Sequence, residues 1–428
     1  MEKTTLPSCV TCTPHNLGSH SHGKLKADQW HTACLVNLVI TLCRLWGGAN
    51  ASQKNQSLLQ NYLSLVIAIR WATTHTTSNY HTEVVKQFLV YYIHSTLEIF
   101  GARALVYNNH ASLHVPKCLS AYGPAHGWWA FPFEQYNGVL QHISTNSKIG
   151  QMEYTMLKAF CQGSNLRAML SKDNSLGSLQ VLRTAFKRFF PSTSSILQTD
   201  IDHSNLNGTN SDIAEITDSV GKLPMLSTTT YDHLLDCLNK GMVPRMYLSY
   251  QDKPRPHTWA IQPHAQEKHP VKYQGVTYSC SSKHLGNSRI LFHLANETLQ
   301  RTGAIQQIFV HQRHGPSNTL MTEFFYVVRQ YQELSDAQAA YDPYRQFPLL
   351  FIRLCHDKLT AEEQVIWNQN IVCHFAGCPY ESKEFPGKFL VVLSLDKASY
   401  PCLEGHDTDH MYSGIIQCLS HCSLSECH

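Results

Sequence analysis

Apolar residues recur at three- and four-residue steps along the first third of the chain. Over 28–46 they are Leu35, Leu38, Val39, Leu42, Leu45 and Trp46, a spacing that stacks them on one face of a helix. The same period returns over 58–71 and again over 84–100, where Val85, Phe88, Leu89, Tyr92, Ile93 and Phe100 form a stripe and Gly101 stops the helix. A shorter helical segment over 108–122 is interrupted by Pro116, and Gly123-Pro124 breaks the chain again. Two more helices are expected over 131–143 and 152–170, so that a bundle of helices extends to about residue 182.

The pattern then changes twice. Over 191–222 the residues are mostly Ser, Thr, Asn, Asp and Gly, too polar to bury the apolar surface that would offset their ordering entropy, and the segment is expected to be a linker. A short helix over 231–238 follows. Beyond it come short runs rich in β-branched and aromatic residues, at 271–279, 289–294, 304–311, 323–331, 349–354, 371–375 and 389–395, most of them separated by turn residues such as Gly315-Pro316 and Asp342-Pro343. Many short strands in one region predict a small antiparallel barrel or sandwich. The expected fold class is therefore α+β: a helical region over 1–190, a polar linker over 191–222, a β-rich barrel-like domain over 223–400 and a Cys/His-rich tail over 401–428.

Composition adds limits. With 428 residues, 43% of them hydrophobic, the chain can build two or three ordinary cores, and a net charge of +3 permits nucleic-acid binding without pointing to it. Residues 1–22 are polar and carry neither a secretory signal nor an anchor, and the apolar run 35–46 is too short to cross a bilayer. A nuclear or cytoplasmic protein, neither secreted nor membrane-bound, is expected, and its 15 cysteines then read as thiols or metal ligands before disulfides. His110 and His114 have the spacing of helical zinc ligands, but no acid follows the first histidine, and a structural pair is the preferred reading. Cys9 and Cys12 with His15 have the spacing of half a zinc knuckle but no adjacent second half; for Cys373 and His374 with Cys378, and for Cys418, His421, Cys422, Cys427 and His428, chance proximity in a Cys-rich chain is preferred to zinc, and no metal site is assigned.

Three blocks bear on function. The first is His22-Gly23-Lys24-Leu25-Lys26-Ala27-Asp28-Gln29-Trp30-His31. The second is Tyr122-Gly123-Pro124-Ala125-His126-Gly127-Trp128-Trp129-Ala130-Phe131-Pro132-Phe133-Glu134-Gln135-Tyr136-Asn137-Gly138, and Ile149-Gly150-Gln151-Met152-Glu153-Tyr154-Thr155-Met156-Leu157 is the third. Together with Asp342-Pro343-Tyr344-Arg345-Gln346-Phe347-Pro348 and the strand ending at Asp396, they resemble fungal CACTA-type DNA transposases, the Plavaka group among them, over most of the chain to about Lys397. The resemblance implies an RNase H-like core in which three carboxylates hold two Mg²⁺ or Mn²⁺ ions for DNA strand cleavage and joining at transposon ends, with a helical insertion before the last carboxylate. It implies that Glu134 is that third carboxylate and that Asp28 and His31 match a D-x-x-H element of the insertion; the residue pattern itself puts His110 and His114 on a helix expected next to the Glu134 turn.

The departures set the expected activity. Glu134-Gln135 stands where the family pattern has Glu-Arg, and from Ala27 to Cys161 the only acids are Asp28, Glu83, Glu98, Glu134 and Glu153. No β-rich segment bearing two acidic residues precedes Asp28, so the chain is expected to be truncated and inactive, with no bound cofactor. Each candidate also has a plain structural reading: Glu134 in the first turn of a helix opened by Pro132, Asp28 as an N-cap, and Trp128 and Trp129 as core residues beneath the Glu134 helix. Lys24, Lys26, Lys187 and Arg188 are too few to make a phosphate-binding face. The alternative function is a non-enzymatic module whose β domain binds a protein or chromatin ligand, recognisable by an exposed aromatic cage.

Overall fold

A computed structural model describes most of residues 3–171 and 223–395; 1–2, 172–222 and 396–428 lie outside the described residues, as do 15, 16, 18, 20–24, much of 132–149 and a few single positions and short runs elsewhere. The expected linker and the Cys/His tail therefore lie outside them. The chain divides into two compact units, 1–127 with 219–428, and 128–218.

In the first unit, α1 (Ala27–Thr32), a π-helical turn (Ala33–Asn37) and α2 (Leu38–Trp46) run on as one rod, followed by α3 (Gln53–Ala72) and α4 (Asn79–Phe100). Each start has a local cause: the Ser52 hydroxyl accepts from the Asn55 N–H and the Ser78 hydroxyl from the His81 N–H, both at 3.3 Å, which satisfies donors that the helix leaves orphaned. Gly101 at φ 78° ends α4, a conformation that glycine adopts without strain. Leu59, Leu63, Val66, Ile67 and Trp71 line the buried face of α3, as the apolar period predicts. Across the α3–α4 contact the buried Asn61 amide donates to the Ser95 hydroxyl at 2.8 Å and the Thr96 hydroxyl at 2.9 Å. Then come α5 (Tyr107–Ser112) and α6 (Val115–Tyr122); Pro116 lies in the first turn of α6, where its missing N–H is harmless, so it opens a helix instead of interrupting one. The second unit contains a helical segment beginning at Phe131 and α7 (Met152–Ser171).

Beyond 223 the first unit continues with α8 (Thr228–Asn239), β1 (Tyr247–Ser249), β2 (Trp259–Ile261), β3 (Gln266–Glu267), β4 (Val271–Tyr273), β5 (Val276–Tyr278), α9 (Leu285–Ser288), β6 (Arg289–Phe292), β7 (Arg301–His314), β8 (Leu320–Tyr331), α10 (Asp336–Ala339), β9 (Ile352–His356), β10 (Leu359–Trp367), β11 (Ile371–Tyr380) and β12 (Phe389–Ser394). Seven of the strands form one antiparallel path, β10-β8-β7-β6-β11-β12-β9, with β3 added beside β7. Register shifts at Ile305/Gln307 and Ile371/Cys373 bend it, and β11 changes partner along its length, pairing β6 through His374 and β12 from Phe375. At the far end His356 N–H donates to the Gln332 carbonyl and Gln332 N–H to the Lys358 carbonyl, both at 2.9 Å, which brings β9 beside the end of β8. The result is an α+β architecture, a helical N-terminal region followed by a curled antiparallel sheet that closes into half a barrel. Leu291, Ala304, Tyr331, Cys355, Phe375, Leu390 and Val392 form one core of this sheet, and α8 packs Tyr231, Leu234 and Leu238 against Phe309, Phe325, Val327 and Val365 in the other.

Some strands differ from the sequence pattern. The run 271–279 is a tight hairpin, β4–β5, turning at Gly275 with φ 77°, and 349–350 belongs to a 3₁₀ turn ahead of β9. β10, with the helix-like string Ala361-Glu362-Glu363-Gln364, was not expected; it is the edge of the sheet beside β8, where polar residues face solvent.

The helices are docked on the sheet. Arg70 of α3 donates from Nη2 to the Ser394 carbonyl at 2.7 Å, and the Trp71 indole N–H donates to the Leu349 carbonyl at 3.2 Å. Tyr344 reaches back to the Ile40 carbonyl at 3.2 Å, Gln346 to the Gly47 carbonyl at 2.7 Å, and the Arg44 guanidinium stacks over Tyr380 at 5.1 Å. Gly47 allows that approach, since an added Cβ would lie 3.1 Å from the Pro343 oxygen. With Trp71 only 1% exposed, Trp71→Ala is expected to remove about 3–5 kcal/mol of stability and to lower helix and sheet signals together in a single urea transition. Separate transitions for the two would contradict a shared core.

Candidate functional site

Glu134 lies in the second unit, one turn into the helical segment that begins at Phe131, with its backbone N–H donating to the Ala130 carbonyl at 3.0 Å. The expectation of a helix start is met. Its side chain is exposed, near helix-terminal N–H groups that favour negative charge. The aromatic block in front of it is not a core: Trp128, Phe131 and Phe133 are exposed, and Trp129 is half-buried with its ring edge-on to Phe131 at 4.9 Å. This corrects the expectation that Trp128 and Trp129 are core residues: Trp128 is 37% exposed and Trp129 half-buried.

The remaining candidates belong to the first unit. Asp28 is the second residue of α1 and not its N-cap; the helix is capped at Lys26, whose N–H donates to the Gln29 side-chain oxygen at 3.0 Å. Asp28 and His31 are both exposed and one turn apart. His110 sits on α5, but that helix ends at Ser112, and His114 falls in the turn before α6. Their rings meet edge to face at 5.2 Å, an aromatic contact and not the parallel presentation of two ligands from one helical face.

The cysteine–histidine sets are separated by simple geometry. Cys9 and Cys12 are exposed near the start of the chain, and His15 and the terminal set lie outside the described residues. On β11, successive side chains alternate between faces, which sets Cys373 and His374 on opposite sides: Cys373 contacts the Ser394 hydroxyl at 3.4 Å, while His374 sits between the Arg289 carbonyl at 2.9 Å and the Thr277 carbonyl at 3.1 Å, which occupy both ring nitrogens. Burial holds the His374 imidazole below its ordinary pKa. Among the described residues no three His, Cys, Asp or Glu side chains converge in a way that could hold a metal ion. The described residues do not fit the two Mg²⁺ or Mn²⁺ ions that the family resemblance implies, and no chemical step through such ions follows from them.

No family model, curated protein or solved structure matches the chain.

Two features of the β region are invisible in the sequence pattern. One is a shallow cleft of about 310 Å³ between α8 and β10, lined by His233, Asp236, Cys237 and Lys240 on one side and Glu362 to Ile366 on the other. Its charges are partly spoken for, with Asp236 3.7 Å from Arg245 and Lys240 3.3 Å from Glu297, and its lining holds no aromatic cage. The other is a pair of buried basic side chains on β7. Arg313 pairs with Glu323 while its guanidinium lies 5.7 Å from the Tyr247 ring and 5.4 Å from the Phe325 ring. His311, fully buried on the same strand, faces the Gln262 carbonyl through Nε2 at 2.8 Å, and its Nδ1 has no partner. That arrangement suits one tautomer of the neutral ring. Burial is the main cause that pushes its pKa down to about 4, with the carbonyl opposing and Arg313 assisting.

The sign of the pH effect follows. The unfolded chain binds the proton near the ordinary value of 6.5 and the folded chain only near 4, so the stabilisation from the neutral ring is complete above 6.5 and is lost as pH falls towards 4. His311→Gln, which keeps a donor for the Gln262 carbonyl, is expected to flatten the stability profile between those limits by about 3 kcal/mol in urea titrations compared at each pH. An unchanged slope would show that the ring carries its proton in the fold.

Proposed function

We propose that this protein derives from a CACTA-type DNA transposase, that Glu134 descends from the third metal-binding carboxylate of its RNase H-like core, and that the chain itself neither cleaves nor joins DNA. The single observation that carries the reading is the aromatic-rich block over 122–138, similar to the family pattern, with Glu134 displayed on an exposed first helical turn. A carboxylate there gains from the unpaired N–H groups whether or not an ion is bound, which explains how the residue persists without catalysis. Two-metal strand transfer needs several anionic ligands around ions a few ångströms apart. Glu83 and Glu98 ride on α4, Asp28 opens α1 and Glu153 opens α7, and among the described residues no three His, Cys, Asp or Glu side chains gather.

In this reading DNA ends are the ancestral substrate, and the curled sheet is the part left to serve binding. No helix among the described residues is long and apolar enough to cross a membrane. A protein ligand for the sheet is favoured over a methylated-lysine type of ligand, because the cleft beside β10 offers acids and amides but no aromatic walls.

The full chain incubated with supercoiled plasmid and Mg²⁺ or Mn²⁺ is expected to leave it intact, with no difference from the Glu134→Gln variant. Robust nicking or strand transfer that Glu134→Gln abolishes would overturn the inactive reading.

A further inference from the structure

Arg289, the first residue of β6, is 4% exposed, yet its Nε and Nη1 have no hydrogen-bond partner. Its guanidinium is hydrogen-bonded to the Tyr331 phenol, whose pKa is raised by burial while the guanidinium opposes the rise. The group lies 6.0 Å from the Phe375 ring, inside the curl of the sheet. A guanidinium sealed from water without a carboxylate is an unfinished arrangement, since a buried charge normally has an opposite charge beside it.

The place for the missing partner can be located. The inner half of β11 has β6 along one edge, but from Phe375 to Tyr380 that edge is vacated by β6, and among the described residues an isolated bridge between Thr5 and Gly377 occupies it, with Ser8 N–H held by the Asn287 side chain at 2.7 Å. Two backbone hydrogen bonds make the bridge, Thr5 N–H to the Gly377 carbonyl at 2.8 Å and Gly377 N–H to the Thr5 carbonyl at 3.1 Å. The guanidinium rests directly on Gly377: a Cβ built there would collide with Arg289 Nη1. Residues opposite each other in an antiparallel pair place their side chains on the same face. The side chain opposite Gly377 is therefore on the guanidinium's face, and Thr5 offers it only a short neutral hydroxyl.

We propose that the strand position held by Thr5 is a docking site for an extended partner peptide that carries an aspartate or glutamate opposite Gly377. The peptide adds main-chain hydrogen bonds along the outer half of β11, and its carboxylate accepts from the two unpartnered nitrogens of Arg289. The chain's own residues around Thr5 then act as a neutral stand-in that keeps the edge covered until the acidic strand replaces them. The occupant is fixed by charge complementarity, and the proposal is independent of the transposase reading.

Two measurements test it on the full chain. Thr5→Pro removes the N–H that bonds the Gly377 carbonyl and so loosens the stand-in. That variant is titrated with a fluorescent peptide of alternating Val and Thr bearing one central Glu, and with its Gln counterpart. The Glu peptide is expected to bind about tenfold tighter, and Arg289→Met to erase the preference. The second arm needs no Arg289 variant: with the native Arg289 in place, Thr5→Glu is expected to melt a few degrees above Thr5→Gln, because the carboxylate is supplied from within. Equal affinity for the two peptides, or a Thr5→Glu chain that melts at or below Thr5→Gln, would overturn the proposal. Self-association of the Thr5→Pro chain without a preference between the peptides would also overturn it, by giving the edge to a second copy.

Discussion

A guanidinium joins the helices to the sheet: Arg70, near the end of α3, donates to the carbonyl of Ser394 at the end of β12. Beside it the Trp71 indole is sealed between the helices and the turn before β9, close to Tyr80, His81 and Phe351. Without this contact neither side has a complete core. The buried faces of α3 and α4 would lose their floor, and the carbonyls of Leu349 and Ser394 would be left inside an apolar boundary without donors. The sheet repays the arrangement by sending Tyr344 and Gln346 back to the carbonyls of α2 and its C-terminal glycine. Helical and β regions far apart in sequence are thus one compact unit, and the segment bearing Glu134 is the other.

The helices were legible because their apolar residues keep a period and Gly101 stops α4, whereas the starts capped by Ser52 and Ser78 lie ahead of the 58 and 84 at which that period begins. The long strands β7 and β8 were legible for the same kind of reason. What escaped was decided by distant partners. β10 looks helical when alone, and only its pairing with β8 makes a strand of Ala361-Glu362-Glu363-Gln364. The change of partner along β11 depends on where β6 ends, which no local pattern encodes.

The candidate site divides along the same line. The start of the Glu134 helix follows from Phe131-Pro132 and needs nothing else. His110 and His114 were placed on one helix by spacing alone, and the turn at Leu113 separates them. Arg289, His311 and Arg313 could not be found in the sequence, because a charged residue in a strand pattern normally signals a solvated face. Here the curl of the sheet buries them: Arg313 has two rings and Glu323 beside it, His311 a carbonyl and Arg289 the Tyr331 phenol, and both guanidiniums keep two nitrogens without a partner.

Native-state hydrogen exchange on the full chain tests the shared core most directly. In rising sub-denaturing urea, the amides of α3 around Ile67 and those of β12 around Val391 are predicted to open with the same free energy and the same dependence on urea, as members of one cooperative unit. If α3 opens at a clearly lower free energy with a weak urea dependence while β12 stays protected, the helices and the sheet are separate structures and the account is wrong.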